Sequence, residues 1–143
     1  MSMSRDPDCV FCAVIAGKSE AEIVFSDEVS VAFLDHRPLF PGHVLLVPRV
    51  HHVTIEDLPA DLVGPLFTNA QRLAGAVREA MEAQGTFVAM NNIVSQSVPH
   101  LHVHIVPRRR KDGLRGFFWP RTKYGGPKEM AAAGAAIRRQ IEG

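Results

Sequence analysis

Cysteine is scarce in this sequence of 143 residues, which contains only Cys9 and Cys12. In a reducing compartment, two cysteines in the spacing Cys-x-x-Cys favour metal binding or redox chemistry over a structural disulfide. Long apolar runs are missing, since none approaches the roughly 18–20 residues that cross a bilayer. Residues 1–8 are polar and lack the apolar core of a signal peptide. We therefore expect a cytoplasmic protein with no membrane partner.

An excess of charge of either sign is also missing. Sixteen Lys and Arg residues face fifteen Asp and Glu residues, so the net charge gives no argument for a nucleic-acid partner, and we expect none. The strongest basic cluster is the run 108–111, Arg-Arg-Arg-Lys, with Arg115 nearby. A solvated turn is the simpler interpretation of this cluster, and a surface that steers polyphosphate or a nucleic-acid end is the alternative.

The apolar pattern predicts an α+β fold with a mostly antiparallel sheet. Residues 60–84 carry apolar side chains at the spacing of one long amphipathic helix. Short apolar runs bounded by turn residues predict strands, and two further segments have helical patterns. The strands are expected at 23–25, 29–34, 43–48, 86–91 and 101–107, and the further helices at 9–17 and 128–141.

Three histidines recur at every second position in the segment 100–106. Because successive strand residues point to opposite faces, His100, His102 and His104 share one face, and the apolar residues between them face a core. At about 3.3 Å per residue, the first and third rings lie about 13 Å apart, too far to share one metal ion. We therefore expect different roles within the row, with the histidine at one end structural and the other two catalytic.

The residues that precede the histidines suit an anionic substrate. The segment 95–97, Ser-Gln-Ser, offers hydroxyl, amide and backbone donors for phosphate oxygens. An imidazole that attacks phosphorus needs an acceptor on its far nitrogen and donors for the developing charge. His102 is the best-placed nucleophile because it lies between the other two, and His104 is placed to donate to the phosphate or to the leaving group.

Together these motifs resemble the histidine triad family, whose signature is His-x-His-x-His followed by two apolar residues. The segment 96–98, Gln-Ser-Val, is similar to the family's approach to the triad. The segments 33–35, Phe-Leu-Asp, and 41–48, Pro-Gly-His-Val-Leu-Leu-Val-Pro, are similar to its second conserved block. The resemblance covers about Cys9 to Pro107 and is strongest to bacterial Hint-like members.

This resemblance implies a five-stranded antiparallel sheet in each subunit, with one long helix and a short N-terminal helix. It also implies a homodimer with a continuous ten-stranded sheet. The implied organisation is a disordered N-terminus at 1–8, the family domain at 9–125 and a helical extension at 126–143.

The activity that the resemblance implies is that of a nucleotide hydrolase or phosphoramidase with a nucleotidyl-histidine intermediate on His102. Its substrate would be a purine nucleotide, a conjugate of AMP or GMP, and no organic cofactor would be needed. Two alternatives stay open: a dinucleoside polyphosphate hydrolase or phosphorylase, and a non-catalytic nucleotide-binding dimer.

The resemblance also assigns roles to residues. His102 would be the nucleophile, its ring oriented by the carbonyl of His100, while His104 and Ser97 would serve the phosphate and the leaving group. The remaining contacts would be Phe33 with Phe11 or Ile15 at the base, Asp35 at the ribose, His43 behind the triad, and Gln96 with Asn91 or Asn92 at the phosphate. Ser95 stands where the family usually has glycine, which puts the shape of the phosphate loop in question.

Related bacterial proteins imply a structural zinc ion with two cysteine and two histidine ligands. The matching residues are Cys9, Cys12, His100 and His51, with His52 as the alternative to His51. Such a set is tetrahedral and closed, hence structural. The aromatic run 117–119 is expected to pack at a dimer interface, in the substrate pocket or in the core.

Overall fold

The computed structural model describes residues 6–114 and 121–143. The aromatic run 117–119, Arg115 and most of the N-terminus predicted to be disordered lie outside the described residues. The helices are α1 (Val10–Ile15), α2 (Ala60–Ala80) and α3 (Pro127–Glu142), with a short 3₁₀ turn at Ile55–Asp57. The strands are β1 (Ile23–Ser26), β2 (Ser30–Leu34), β3 (Val44–Pro48), β4 (Gly85–Ala89) and β5 (Val103–Arg108).

The five strands form one antiparallel sheet in the order β1-β2-β3-β5-β4, which confirms the predicted α+β class. Residues directly opposite each other in such a sheet share a face. The pairs link Ile23 to Phe33, Phe33 to Leu45, and Leu45 to His104. These four residues therefore follow one another across the sheet, and three of them, Phe33, Leu45 and His104, line the groove that forms the candidate site.

Helix α2 covers the opposite face of the sheet. Its buried residues Leu66, Ala70, Leu73 and Val77 pack with a set of strand residues: Ala32, Val44, Leu46, Val103 and Ile105. The helix ends four residues earlier than predicted. Glu82 adopts a left-handed φ of 52°, and the amide of Ala83 donates to the carbonyl of Arg78, which closes the helix and turns the chain into β4.

The face that carries Phe33 and Leu45 is covered by the short helix α1. Cys9 is its N-cap, and the Cys9 sulfur accepts a hydrogen bond from the Cys12 amide at 3.3 Å. Phe11, Cys12 and Val14 are buried against β2 and β3. An apolar contact surface thus fixes α1 on the sheet beside the histidines.

Strand β5 begins at Val103 and not at Leu101 as predicted. The last pair of β5 with β3 joins Val103 to Leu46, and the carbonyl of Pro48 further along β3 accepts from the His100 ring at 2.9 Å. The Leu101 amide bonds instead to the carbonyl of His52 at 2.7 Å. Alternation still holds over this segment, because Leu101, Val103 and Ile105 are all buried in the core with α2, as predicted.

Contacts divide the chain into two units, Met1–Arg110 with the sheet and Lys111–Gly143 with α3. Helix α3 confirms the helix expected at 128–141 and begins with a proline, the residue best suited to a first helical position. The domain boundaries given above stay a prediction. Within the described ranges, we find no helix that is both long and apolar enough to cross a bilayer.

Candidate active site and metal centre

A groove of about 1060 Å³ lies on the face of the sheet that carries α1. It brings together most of the residues that the sequence singles out for chemistry and for base binding. Its lining includes His102, His104 and Ser97 together with Asp35, Phe33 and Phe11. The groove is therefore the candidate substrate site.

His102 is almost completely buried, at 3% exposure, yet its ring lines the groove. Its Nδ1 lies 2.7 Å from the carbonyl oxygen of His100. A carbonyl oxygen only accepts, so Nδ1 carries the proton and donates it, and Nε2 keeps its lone pair. The edge of the Phe11 ring packs against the imidazole, with ring centroids 5.0 Å apart. The arrangement holds the imidazole in one orientation, with Nδ1 engaged by the carbonyl and Nε2 left for a ligand.

The proton on His104 is fixed by a neighbour in the next strand. The Leu39 amide donates to Nδ1 of His43 at 3.1 Å, so the proton of His43 sits on Nε2. That Nε2 lies 3.0 Å from Nδ1 of His104 and donates to it. The remaining proton of His104 must then be on Nε2. The groove therefore holds a basic imidazole nitrogen on His102 and an imidazole N–H on His104, with ring centroids 4.9 Å apart.

Burial keeps the rings of His104 and His43 uncharged near neutral pH. It lowers the pKa of His104 to about 4, and the neighbouring rings of His102 and His43 lower it further. Burial also lowers the pKa of His43, against the opposing effect of the Asp35 carboxylate. The 3.8 Å contact between Asp35 and His43 is therefore not an ion pair at neutral pH, because the facing Nδ1 carries no proton.

Asp35 is oriented by the backbone at the end of β2. One of its carboxylate oxygens accepts the Arg37 amide at 2.9 Å, and the Asp35 amide donates to the His43 carbonyl at 2.9 Å. The half-buried carboxylate lines the groove together with the histidines and the aromatic residues. A carboxylate in this position can accept hydrogen bonds from a pair of hydroxyl groups.

The predicted phosphate loop contributes Ser97 to the groove but turns its amide side chains elsewhere. Gln96 donates to the Val53 carbonyl at 2.6 Å and accepts the Ile93 amide at 3.0 Å. Asn91 donates to the Ser95 carbonyl at 3.2 Å. The groove lining therefore does not include Gln96, Asn91 or His43. Gln96 and Asn91 shape the loop, and His43 bonds to the ring of His104.

The loop is strained where the family usually has glycine. Ser95 has a φ of 64°, in the left-handed region that glycine adopts without steric cost. Asn92 accepts the Ile55 amide at 2.8 Å and ties the loop to the 3₁₀ turn. Ser95 thus adopts the backbone conformation of a glycine, at a steric cost that glycine would not have.

Four potential metal ligands meet beneath α1. The sulfur of Cys9 lies 3.4 Å from Nδ1 of His100, and the sulfur of Cys12 lies 3.6 Å from the same nitrogen and 3.3 Å from Nδ1 of His51. All four ligand atoms lie within 4.8 Å of one another. A tetrahedral zinc ion with bonds of about 2.0–2.3 Å needs ligand separations of about 3.3–3.8 Å. The residues present fit such an ion, and the histidine placed against the cysteines is His51.

The second nitrogen of His100 fixes its role in this cluster. Nε2 donates to the carbonyl of Pro48 at 2.9 Å, which leaves the lone pair of Nδ1 facing the two sulfurs. Burial lowers the pKa of His100 to about 4, so the ring is neutral, as a ligand must be. Burial also raises the pKa of the Cys9 thiol, a cost that a bound cation would offset by stabilising the thiolate.

Sequence reasoning missed part of the groove lining. The segment 19–22, Ser-Glu-Ala-Glu, and the exposed residues His36 and Arg37 also line it. The only sequence signal for the segment 19–22 is its position directly before β1. The pairing of β1 with β2 brings this segment close to Phe33 and Asp35. Leu39 was missed as well, since it acts through its backbone amide, which every residue except proline has.

Residues 16–111, more than half of the chain, match the HIT domain family. The chain belongs to this family of histidine triad proteins. An uncharacterized HIT-like protein of Mycobacterium tuberculosis is 38% identical over 108 residues, which cover 74% of this chain and 75% of the relative. An adenosine 5′-monophosphoramidase of Saccharomyces cerevisiae is 33% identical over 112 residues, with 76% and 68% covered. An adenylylsulfatase of Arabidopsis thaliana is 32% identical over 115 residues, with 79% and 58% covered.

Solved structures show the same fold. A HIT family protein of Bacillus subtilis superposes with a TM-score of 0.84 and 32% identity, over 92% of this chain and 96% of that chain. A zinc-bound histidine triad family protein of Mycobacterium smegmatis superposes with a TM-score of 0.71 and 33% identity, over 93% and 97%. These likenesses confirm the HIT fold that the sequence predicts.

Proposed function

We propose that this protein is a nucleotide hydrolase of the phosphoramidase type, which releases a nucleoside monophosphate through a covalent intermediate on His102. The observation that carries the proposal is the pair of fixed imidazoles in the groove. His102 presents a lone pair on Nε2 and His104 presents an N–H beside it. A nucleophile and a donor side by side are what substitution at phosphorus requires. The relative named as a monophosphoramidase supports an amine as the leaving group.

In the first step, Nε2 of His102 attacks the α-phosphorus, and the bond from phosphorus to the substrate nitrogen breaks after that nitrogen has taken a proton from solvent. The amine leaves neutral with the electron pair of that bond. The His102 ring becomes positively charged, and the His100 carbonyl stabilises it by accepting the Nδ1 proton in a hydrogen bond. His104 donates a hydrogen bond to a phosphate oxygen, and the Ser97 hydroxyl serves the leaving group.

In the second step, water attacks the same phosphorus and the bond from phosphorus to Nε2 breaks. The nucleoside monophosphate is released with the oxygen of water, the proton of water passes to solvent, and His102 regains its lone pair. Asp35 would hold the ribose hydroxyls through both steps, and Phe11 and Phe33 would lie against a purine base. Ser97, Asp35 and both phenylalanine residues line the groove together with the histidines.

The four-residue cluster under α1 is proposed to hold a structural zinc ion. The zinc-bound relative of Mycobacterium smegmatis and the ligand spacing support this assignment. When bound, zinc would join Cys9 and Cys12 on α1 to the end of the histidine segment. The dimer with a ten-stranded sheet also stays a prediction, to be checked by light scattering in solution.

The experiment that tests the activity uses an adenosine phosphoramidate as substrate. Wild-type protein is expected to release AMP and to show, after rapid acid-free quenching, a mass increase of one adenylyl group on the peptide that contains His102. His102→Ala is expected to lose both, with a rate at least about 10³-fold lower. Equal rates for the two proteins would refute the mechanism. Tight binding of AMP with neither turnover nor adduct would favour the non-catalytic alternative, and faster cleavage of a dinucleoside polyphosphate would reassign the substrate.

A further inference from the structure

The outer wall of the groove is acidic, and the mechanism above makes no use of it. Glu20 and Glu22 line the groove together with Ser19 and Ala21. Both carboxylates belong to exposed residues, and within the described ranges neither joins an ion pair. Two negative charges would oppose an anionic substrate if they lay beside its phosphate, so their position along the groove matters.

The sheet register places these acids far from the histidines. His104, Leu45 and Phe33 follow one another across β5, β3 and β2, and Phe33 faces Ile23 of β1. Neighbouring strands lie about 4.8 Å apart, so β1 is about 14 Å from β5. The Glu22 carbonyl accepts the Leu34 amide at 3.0 Å, which fixes the acidic segment at this outer edge. The segment that carries the two acids therefore lines the groove on the β1 side of the sheet, away from strand β5 with the phosphate-reacting groups.

The β5 side of the groove presents a group for the phosphate. His102 lines the groove although the residue is only 3% exposed, and its Nδ1 bonds to the His100 carbonyl, which leaves Nε2 for a ligand. With phosphorus at this nitrogen and the ribose at Asp35, the base would lie against Phe11 and Phe33. Their rings are 5.4 Å apart in an edge-to-face contact. The far edge of the base then faces Glu20 and Glu22.

Carboxylates at this edge discriminate between purines. A carboxylate only accepts hydrogen bonds, and it binds best where two donors lie side by side. Guanine presents its N1–H and its 2-amino group side by side on one edge. Adenine presents one amino group next to N1, and the lone pair on N1 repels a carboxylate oxygen. An acidic wall therefore favours guanine.

We propose that Glu20 and Glu22 make this site selective for guanine nucleotides over adenine nucleotides. This inference rests on the proposed function, because it takes the groove to be the nucleotide site. Hypoxanthine keeps N1–H but lacks the 2-amino group, so inosine monophosphate is expected to bind with intermediate affinity. A partly exposed pair of this kind is expected to favour GMP over AMP by about five- to tenfold.

The test measures binding of GMP, inosine monophosphate and AMP to the full chain by titration calorimetry. The double variant Glu20→Gln, Glu22→Gln is expected to bind GMP no more tightly than AMP. The matched control is Glu28→Gln with Glu56→Gln, which removes the same charge from exposed residues outside the groove lining. This control is expected to keep the order GMP, inosine monophosphate, AMP. Circular dichroism melting checks that each variant is folded.

The outcomes separate this inference from the proposed function. If wild type binds AMP as tightly as GMP, or if the double variant keeps its preference for GMP, the acidic wall does not select the base. The adenylyl adduct on His102 would then still support the hydrolase. If no nucleotide binds and no adduct forms, both proposals fail together.

Discussion

The hydrogen bond from the Leu39 amide fixes the proton of His43 on Nε2, and that proton in turn fixes the proton of His104 on Nε2. Replacing His43 with alanine removes the donor to His104 and lets the His104 proton move between its two nitrogens. Because His43 acts through His104, its loss is expected to lower kcat about tenfold, less than removal of a direct transition-state donor, and to leave KM nearly unchanged.

Nitrogen NMR of the histidine side chains provides the second readout for this variant. Wild type is expected to show His104 protonated on Nε2, and His43→Ala is expected to show a mixture of the two neutral forms. Glu28→Ala serves as the control, because this exposed residue lies outside the groove lining. An unchanged kcat with His104 still protonated on Nε2 would show that His43 has no positioning role.

The left-handed residue in the phosphate loop leads to a prediction about stability. Ser95→Gly removes the steric cost of a φ of 64° and is expected to raise the free energy of unfolding by about 0.5–1 kcal/mol. Gly17 has a φ of 75° with open space around it, so Gly17→Ala is expected to lower that free energy by about 1 kcal/mol. Urea unfolding measures both. Destabilisation by Ser95→Gly would mean that the serine side chain contributes more than the strain it imposes.

At the scale of elements, α1 belongs to two sites because it carries two proposed zinc ligands and Phe11. Chelation of the metal, or Cys12→Ser, is expected to loosen this helix and to lower Tm by about 10 °C. It is also expected to weaken nucleotide binding several-fold, because Phe11 packs against both His102 and Phe33.

Calorimetry of the chelated protein, followed by zinc addition, measures both effects of metal loss. Restored melting and restored nucleotide affinity are expected together. If zinc returns the Tm while the affinity does not change at any stage, α1 does not connect the two sites.

Element types were predictable from the sequence because alternation is a local property. Leu101, Val103 and Ile105 are buried as their spacing predicts, although the ladder begins only at Val103. The Leu101 amide bonds instead to the carbonyl of His52, a residue distant in the chain. Gln96 likewise bonds to Val53, and no local pattern indicates that contact. Side-chain roles that depend on distant partners were therefore not predictable.

At the scale of the whole molecule, the buried histidines make stability depend on pH. The pKa of His104 falls from its ordinary value of 6.5 to about 4 in the folded protein, and the pKa of His43 is lowered as well. Between pH 6.5 and about 4 the unfolded chain binds more protons at these rings than the folded chain does. Stability is therefore expected to be full above pH 6.5 and to decline as the pH falls towards 4.

Urea unfolding at pH 7 and pH 5 measures this decline. His104→Asn is expected to reduce the difference between the two pH values, and His36→Asn, at an exposed ring, is expected to leave it unchanged. A wild-type protein equally stable at both pH values would contradict the low pKa of His104.

His100 contributes to two sites through different parts of one residue. Its ring faces the cysteines, and its main-chain oxygen orients the nucleophile. Side-chain mutagenesis at this position can remove only the first contribution, because every amino acid brings the same carbonyl. A scan that finds His100 dispensable for turnover would thus underestimate its role. Only a change to the backbone itself, such as an ester in place of the following peptide bond, would weaken this acceptor.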